Sequence, residues 1–230
     1  SKNSLSNRRL FIRNKKELIN FSQDGALSRV TLTGGYVNKM IENIPSDIVS
    51  EGDCALRLES DGDISKTMSF TYDFDEAVDM SSGPMLIFAF SAYDGEYDSK
   101  YFKDVAENMY FVEKPDPQLV HCSYITVTIY GKGKSAARTI QLTNYGFNKI
   151  FANYSGEDFI DAIDKITFEY IITEPATEWQ NICKLDTVFS GMSVDLTFKG
   201  SGMECLFDVE NGSCIHQNNV ITYKYEENSS

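Results

Sequence analysis

Apolar side chains recur at every second position along this chain, in one short stretch after another, and that periodicity limits the fold more than any other feature. Met68, Phe70, Tyr72 and Phe74 alternate with Ser69, Thr71 and Asp73, and Ile125, Val127 and Ile129 alternate with Thr126 and Thr128. Leu56 and Leu58 flank Arg57, Ile140 and Leu142 flank Gln141, and Ile166, Phe168, Tyr170 and Ile172 form a further stripe. Met192, Val194, Leu196 and Phe198 make another, and Ile221, Tyr223 and Tyr225 mark a last strand. Successive side chains on a strand point to opposite faces, so each stripe reads as a strand with one buried face. The run Met85–Phe90 is apolar throughout, as a central strand covered on both sides requires. Gly, Asn, Asp and Ser clusters separate the stripes. The pattern predicts two antiparallel sheets packed face to face, an all-β sandwich of jelly-roll type. Two short helices are expected in loops. One starts at the capping-box-like Ser155-Gly-Glu-Asp158 before Phe159, Ile160 and Ile163; the other carries Phe102, Val105 and Met109.

At 230 residues the chain suits one large β domain, expected over residues 17–230. A chain of this size buries roughly 70–75% of its unfolded surface and needs neither disulfide nor metal to fold. Its formal net charge of −13 argues against nucleic acid and against an anionic membrane surface. No apolar run approaches the roughly 20 residues of a spanning helix. The first sixteen residues differ in kind. Lys2, Arg8, Arg9, Arg13, Lys15 and Lys16 stand there with no acid, so the remainder holds 15 basic and 34 acidic side chains, a net of −19. Residues 1–16 are expected to be a basic leader or linker, and a first residue other than Met suggests a piece of a larger, multidomain protein.

Catalytic motifs are scarce. The five cysteines (Cys54, Cys122, Cys183, Cys205 and Cys214) show no zinc spacing, and their odd number leaves at least one thiol without an intrachain bridge. His121 and Cys122 are adjacent in sequence, so on a strand they point apart and form no nucleophile–base pair. Carboxylates abound, but a glycosidase needs two of them held across a cleft, and no pairing is legible. Asp61-Gly-Asp63 and Asp73-Phe-Asp75 offer the oxygen donors that calcium takes, although turns and strand ends place acids there too. No cofactor is required; a structural calcium is the one ion these clusters would suit.

Glu51-Gly-Asp-Cys-Ala-Leu-Arg-Leu58 resembles the "EGxxSLxV" strand near the start of the galactose-binding-domain-like jelly rolls, which include many carbohydrate-binding modules. Leu18-Ile-Asn-Phe21 resembles their opening strand, Met85–Phe90 their central one, and Asn144–Phe151 and Asp161–Tyr170 two later segments. The likeness is one of order and spacing over most of residues 18–200. Members often carry an acid after the opening Phe, where it helps bind a structural calcium; here that position is Ser22. They often end with an aromatic-Ile-Asp-Asp/Asn segment, whereas this chain has Val188–Asp195. The resemblance implies a non-catalytic module of a secreted or cell-surface protein, expected to be bacterial, that binds poly- or oligosaccharide.

Tyrosine placement suits that expectation. If Ile125, Val127 and Ile129 face the core, then Tyr124, Thr126, Thr128 and Tyr130 face away from it, and a turn over Gly131–Ala137 brings Gln141 and its neighbours alongside. An aromatic ring takes the C–H face of a sugar, while hydroxyls, amides and the nearby Glu169 bond its hydroxyls. Tyrosine and threonine are also good strand residues, and the same pattern describes a plain solvated face. Tyr93, Tyr97 and Tyr101 lie in the long Ser91–His121 connection, where binding residues often sit. Trp179, the only Trp, stands beside Gln180 and Asn181 in a polar loop, as a second place to stack a sugar or as a plug for the sandwich end. The expected carbohydrate-binding set is therefore Tyr124, Tyr130, Gln141, Trp179, Asn181, Tyr93 and Tyr97. The alternative is a protein–protein or adhesion domain that uses the Ser91–His121 loop.

Overall fold

The structure, a computed structural model, describes residues 8–43, 54–62, 67–94, 123–142, 148–172, 181–197, 213–217 and 220–224. Of residues 8–12, 93–94, 172, 193–197, 213–217 and 220–224 it describes the backbone alone. In chain order the strands are β1 (Arg8–Ile19), β2 (Val30–Leu32), β3 (Tyr36–Asn43), β4 (Cys54–Ser60), β5 (Met68–Val78), β6 (Met85–Asp94) and β7 (Ser123–Gly131). There follow β8 (Lys134–Leu142), β9 (Asn148–Asn153), β10 (Ile163–Ile172), β11 (Asn181–Leu185), β12 (Val188–Thr197), β13 (Ser213–Gln217) and β14 (Val220–Lys224).

The expected all-β sandwich is what these strands build. One sheet has five strands in the order β2-β5-β10-β7-β8; the other has nine. In the larger sheet β6 pairs with β9 on one side and with β11, then β12, on the other. The ladder crosses the break between those two strands because Asp186 N donates to Ala89 O at 3.0 Å. β4 and then β3 continue the sheet beyond β11, while β1 lies along β12. Among the described strands, ladder pairing is antiparallel except between β14 and β12, which is parallel.

The alternating stripes meet between the sheets. From the five-stranded sheet Phe70, Ile125, Val127, Ile129, Ile166 and Phe168 point inward; from the other Leu56, Leu58, Leu86, Phe88, Phe90 and Leu185 meet them. The Phe168 ring stacks on Phe70 at 5.0 Å between centroids and takes Phe88 edge-on at 5.5 Å, so one side chain joins both layers. β6 is apolar on both faces for the reason its sequence suggests. Leu86, Phe88 and Phe90 enter this core, and Met85 and Ile87 enter a second buried cluster with Phe151 and Phe189 on the other side.

Three expectations change. Residues 8–16 of the presumed leader form the first part of β1, in register from Arg8↔Thr197. Backbone pairing with β12 holds them, with an irregularity after Arg13 where Asn14 adopts φ 53 and its Nδ2 donates to Ser82 O. The helix expected from Ser155 is a succession of turns. Asn153 Oδ1 accepts from Ser155 N and Oγ, Gly156 is left-handed at φ 89, and the Ile160 carbonyl accepts from Met80 N rather than from a helical partner. The turn expected over Gly131–Ala137 tightens to Lys132-Gly133, with φ 50 and 72, the backbone signs of a two-residue type I′ hairpin. Gly131 is needed beside it, because a Cβ there would lie 2.1 Å from Ala162 O. The helix expected around Phe102–Met109 lies outside the described residues.

Phe168→Ala should lower the unfolding free energy by about 3–5 kcal/mol, whereas its outward neighbour Thr167→Ala should change it by about 1 kcal/mol or less. Urea unfolding of the two variants measures both.

Candidate functional site

The candidate site is the outer face of the five-stranded sheet, and strand register determines what it contains. With Ile125, Val127 and Ile129 in the core, Tyr124, Thr126, Thr128 and Tyr130 of β7 stand outward and are half-buried. β8 places Gln141 opposite Tyr124, Thr139 opposite Thr126, Ala137 opposite Thr128 and Ser135 opposite Tyr130. β10, on the other side, sets Ile171, Glu169, Thr167 and Lys165 against the same four residues. Beyond β10, β5 carries Ser69 and Thr71, both buried, and the exposed Asp73.

The hydroxyls of this face are organised. Thr126 and Thr139 share a hydrogen bond of 2.8 Å between their Oγ1 atoms, and Thr71 and Thr167 share one of 2.9 Å. Lys165 Nζ lies 4.7 Å from the centroid of the Tyr130 ring, a cation–π contact. At the β2 edge Arg29 hydrogen-bonds Asp75 and holds its carboxyl below the usual range. At the hairpin end Lys134 does the same for Asp158, at 2.7 Å. Tyr124 and Tyr130 are six residues apart on one strand, about 20 Å at the usual rise.

Of the expected site residues, Tyr124, Tyr130 and Gln141 come together here, and Glu169 joins them. Tyr93 does not: it lies on β6 in the other sheet, opposite Ile182. Tyr97 and Trp179 lie outside the described residues. Asn181 is turned into the body of the protein with 1% exposure, so it presents no amide to a ligand. Its Oδ1 accepts from Tyr36 OH at 2.6 Å, and its backbone N donates to Ser60 Oγ at 2.8 Å. Cys183 lies in the same core end as a free thiol, pushed up to about 12 by burial. Burial, and then the neighbouring Cys183, raise Tyr36 well above the ordinary phenol value.

Sequence reasoning missed one feature. On the outer face of the nine-stranded sheet, Lys184 Nζ lies 3.1 Å from Glu42 Oε2, and Arg57 reaches Glu42 at 3.6 Å and Glu59 at 2.8 Å. Lys184 is 1% exposed although it faces away from the main core. Arg57 and Glu59 were legible as the polar half of a stripe; Lys184, within Ile182-Cys183-Lys184-Leu185, carries no such mark.

Asp75 is engaged by Arg29, and no group of three or more His, Cys, Asp or Glu side chains suited to a metal occurs among the described residues. Asp63 lies outside the described residues.

No protein-family model matches the chain, and no curated protein matches it in sequence. Solved structures do resemble it. An exo-β-agarase matches over 76% of this chain and 24% of its own, at 12% identity and a TM-score of 0.50. The family 11 carbohydrate-binding module of a cellulosomal cellulase of Clostridium thermocellum matches over 78% of this chain and 95% of its own, at 13% identity and a TM-score of 0.44. A family 28 module specific for non-crystalline cellulose matches over 78% and 98%, at 12% identity and 0.46. At such identities the likeness to the agarase is one of fold, and it covers about a quarter of that enzyme. The chain is an all-β sandwich of the kind found within that enzyme.

Cys183, Tyr36 and Tyr154 are acids kept neutral by burial, with pKa values raised in the fold. Such groups stabilise the fold fully below their unfolded pKa values, and that stability is lost as pH rises. Unfolding free energy should therefore fall above a pH of about 9, where the unfolded thiol and phenols ionise and the buried ones do not. Cys183→Ala should flatten the slope; urea midpoints that fall in parallel for both proteins would contradict this origin.

Proposed function

We propose that this chain is a non-catalytic carbohydrate-binding module of an extracellular or cell-surface protein, working without a cofactor and forming part of a larger polypeptide. The observation that carries the proposal is the outer face of the five-stranded sheet. Two half-buried tyrosines of one strand bracket a field of threonine hydroxyls, with Gln141 and Glu169 at its sides. A sugar needs an apolar plane for its C–H face and a mixture of donors and acceptors for its hydroxyls, and this face supplies both. The fold shared with part of an exo-β-agarase supports the same reading.

In mechanism, Tyr124 and Tyr130 contact sugar rings while Gln141, Glu169 and the threonine hydroxyls bond sugar hydroxyls. Those hydroxyls already hold one another in place, so little side-chain freedom is lost on binding. With a neutral ligand the affinity depends weakly on salt.

Retention on a broad panel of soluble and insoluble polysaccharides tests the reading. The protein should be retained on one glycan class, equally with and without a chelator. Tyr124→Ala and Tyr130→Ala should each weaken retention while leaving the thermal unfolding midpoint within a few degrees. Unchanged retention in both variants would remove this face as the site, and retention on no glycan would favour a protein partner instead.

A further inference from the structure

The carbohydrate-binding reading leaves open how a glycan crosses the face, and the register constrains it. No outward row across the described strands holds both tyrosines: the Tyr124 and Tyr130 rows hold one each, and the Thr126 and Thr128 rows between them hold none. Tyr124 lies between Ile171 and Gln141, and Tyr130 between Lys165 and Ser135. A ligand laid across the strands therefore meets at most one of the two. Along β7 both are met, separated by Thr126 and Thr128. Strand side chains stand roughly perpendicular to their sheet, so the two phenols rise above a floor of short threonines. The span between them, about 20 Å at the usual strand rise, accommodates about four pyranose rings in an extended chain.

Charge narrows the ligand further. Among the described residues of this outer face, the one charged side chain between the two tyrosines is Glu169, the register partner of Thr126. Lys165, at the Tyr130 end, already sits over that ring. A carboxylate accepts hydrogen bonds from sugar hydroxyls and repels uronate or sulfate groups, and the chain as a whole carries −13.

Resting on the reading above, we propose that the ligand is a neutral, extended oligo- or polysaccharide that lies lengthwise along β7, with one ring against Tyr124 and another, about four rings on, against Tyr130.

A ladder of oligosaccharides, from disaccharide to hexasaccharide, cut from a neutral polysaccharide that retains the protein provides the test by calorimetric titration. Affinity should climb by roughly tenfold or more between disaccharide and pentasaccharide and then level. Tyr124→Ala and Tyr130→Ala should each abolish most of that climb while changing disaccharide affinity by about twofold or less. A disaccharide bound as tightly as the pentasaccharide, or a climb that survives either substitution, would overturn the lengthwise path while glycan binding itself stood. Tighter retention on a uronate-bearing or sulfated polymer than on neutral ones would overturn the assignment of a neutral ligand. Retention on no glycan would overturn both readings.

Discussion

The Phe168 ring rests on Phe70 within its own sheet and meets the edge of Phe88 from the other, and much of the molecule is arranged around that junction. Aromatic side chains bury large areas and prefer such stacked and edge-on geometries, so the triad fixes both the separation of the layers and their relative position. Tyr36 against Phe70 and Phe90 against Tyr170 repeat the inter-sheet contact further along. Because side chains alternate along a strand, anchoring Phe168 and Tyr170 inward places Thr167 and Glu169 outward. The same logic turns Tyr124 and Tyr130 out once Ile125 and Ile129 are buried. A one-residue slip of β7 would reverse its two faces, so the candidate binding surface is a consequence of the core.

The fold was most legible where the two faces of a strand differ. β5, β7, β8 and β10 each carry a clear period of two, and β7 pairs with β8 in the expected hairpin, whereas the insertion of β10 between β5 and β7 has no local signal. β1 was hidden because its basic residues offer no apolar stripe; the ladder with β12 places it, and nothing local in Arg8–Lys16 announces that partner. β9 was hidden for the opposite reason. Ile150 and Ala152 enter the main core while Phe151 enters the second cluster, so no alternation appears. At Ser155 the local signal misled, since the Asn153 side chain captured the backbone that a helix would have used.

The site was half legible. Tyr124, Tyr130, Gln141 and Glu169 come together because alternation and one hairpin suffice to place them. Asn181 looked like a loop amide beside Trp179, but Tyr36, 145 residues earlier, takes its oxygen and holds it in the core end. That contact depends on β3 and β11 lying on either side of β4, which is sheet order rather than local sequence. Long-range order of this kind also brings Lys184 to Glu42.

The two outer faces differ in a way that favours the smaller sheet as the binding surface. On the nine-stranded sheet, Met85, Ile87, Phe151 and Phe189 are already buried, and Lys184, Arg57, Glu42 and Glu59 are joined in ion pairs. A ligand there would have to displace charge pairs whose separated members are costly to leave unpaired. On the five-stranded sheet the threonines are bonded sideways to each other, and each hydroxyl that donates to its neighbour still has acceptor capacity. The tyrosines are half-buried rather than enclosed, so rigid rings are presented at small entropic cost. The buried faces of these strands form the core and the outer faces carry the rings and hydroxyls, so the proposed binding residues can vary while the core stays as it is.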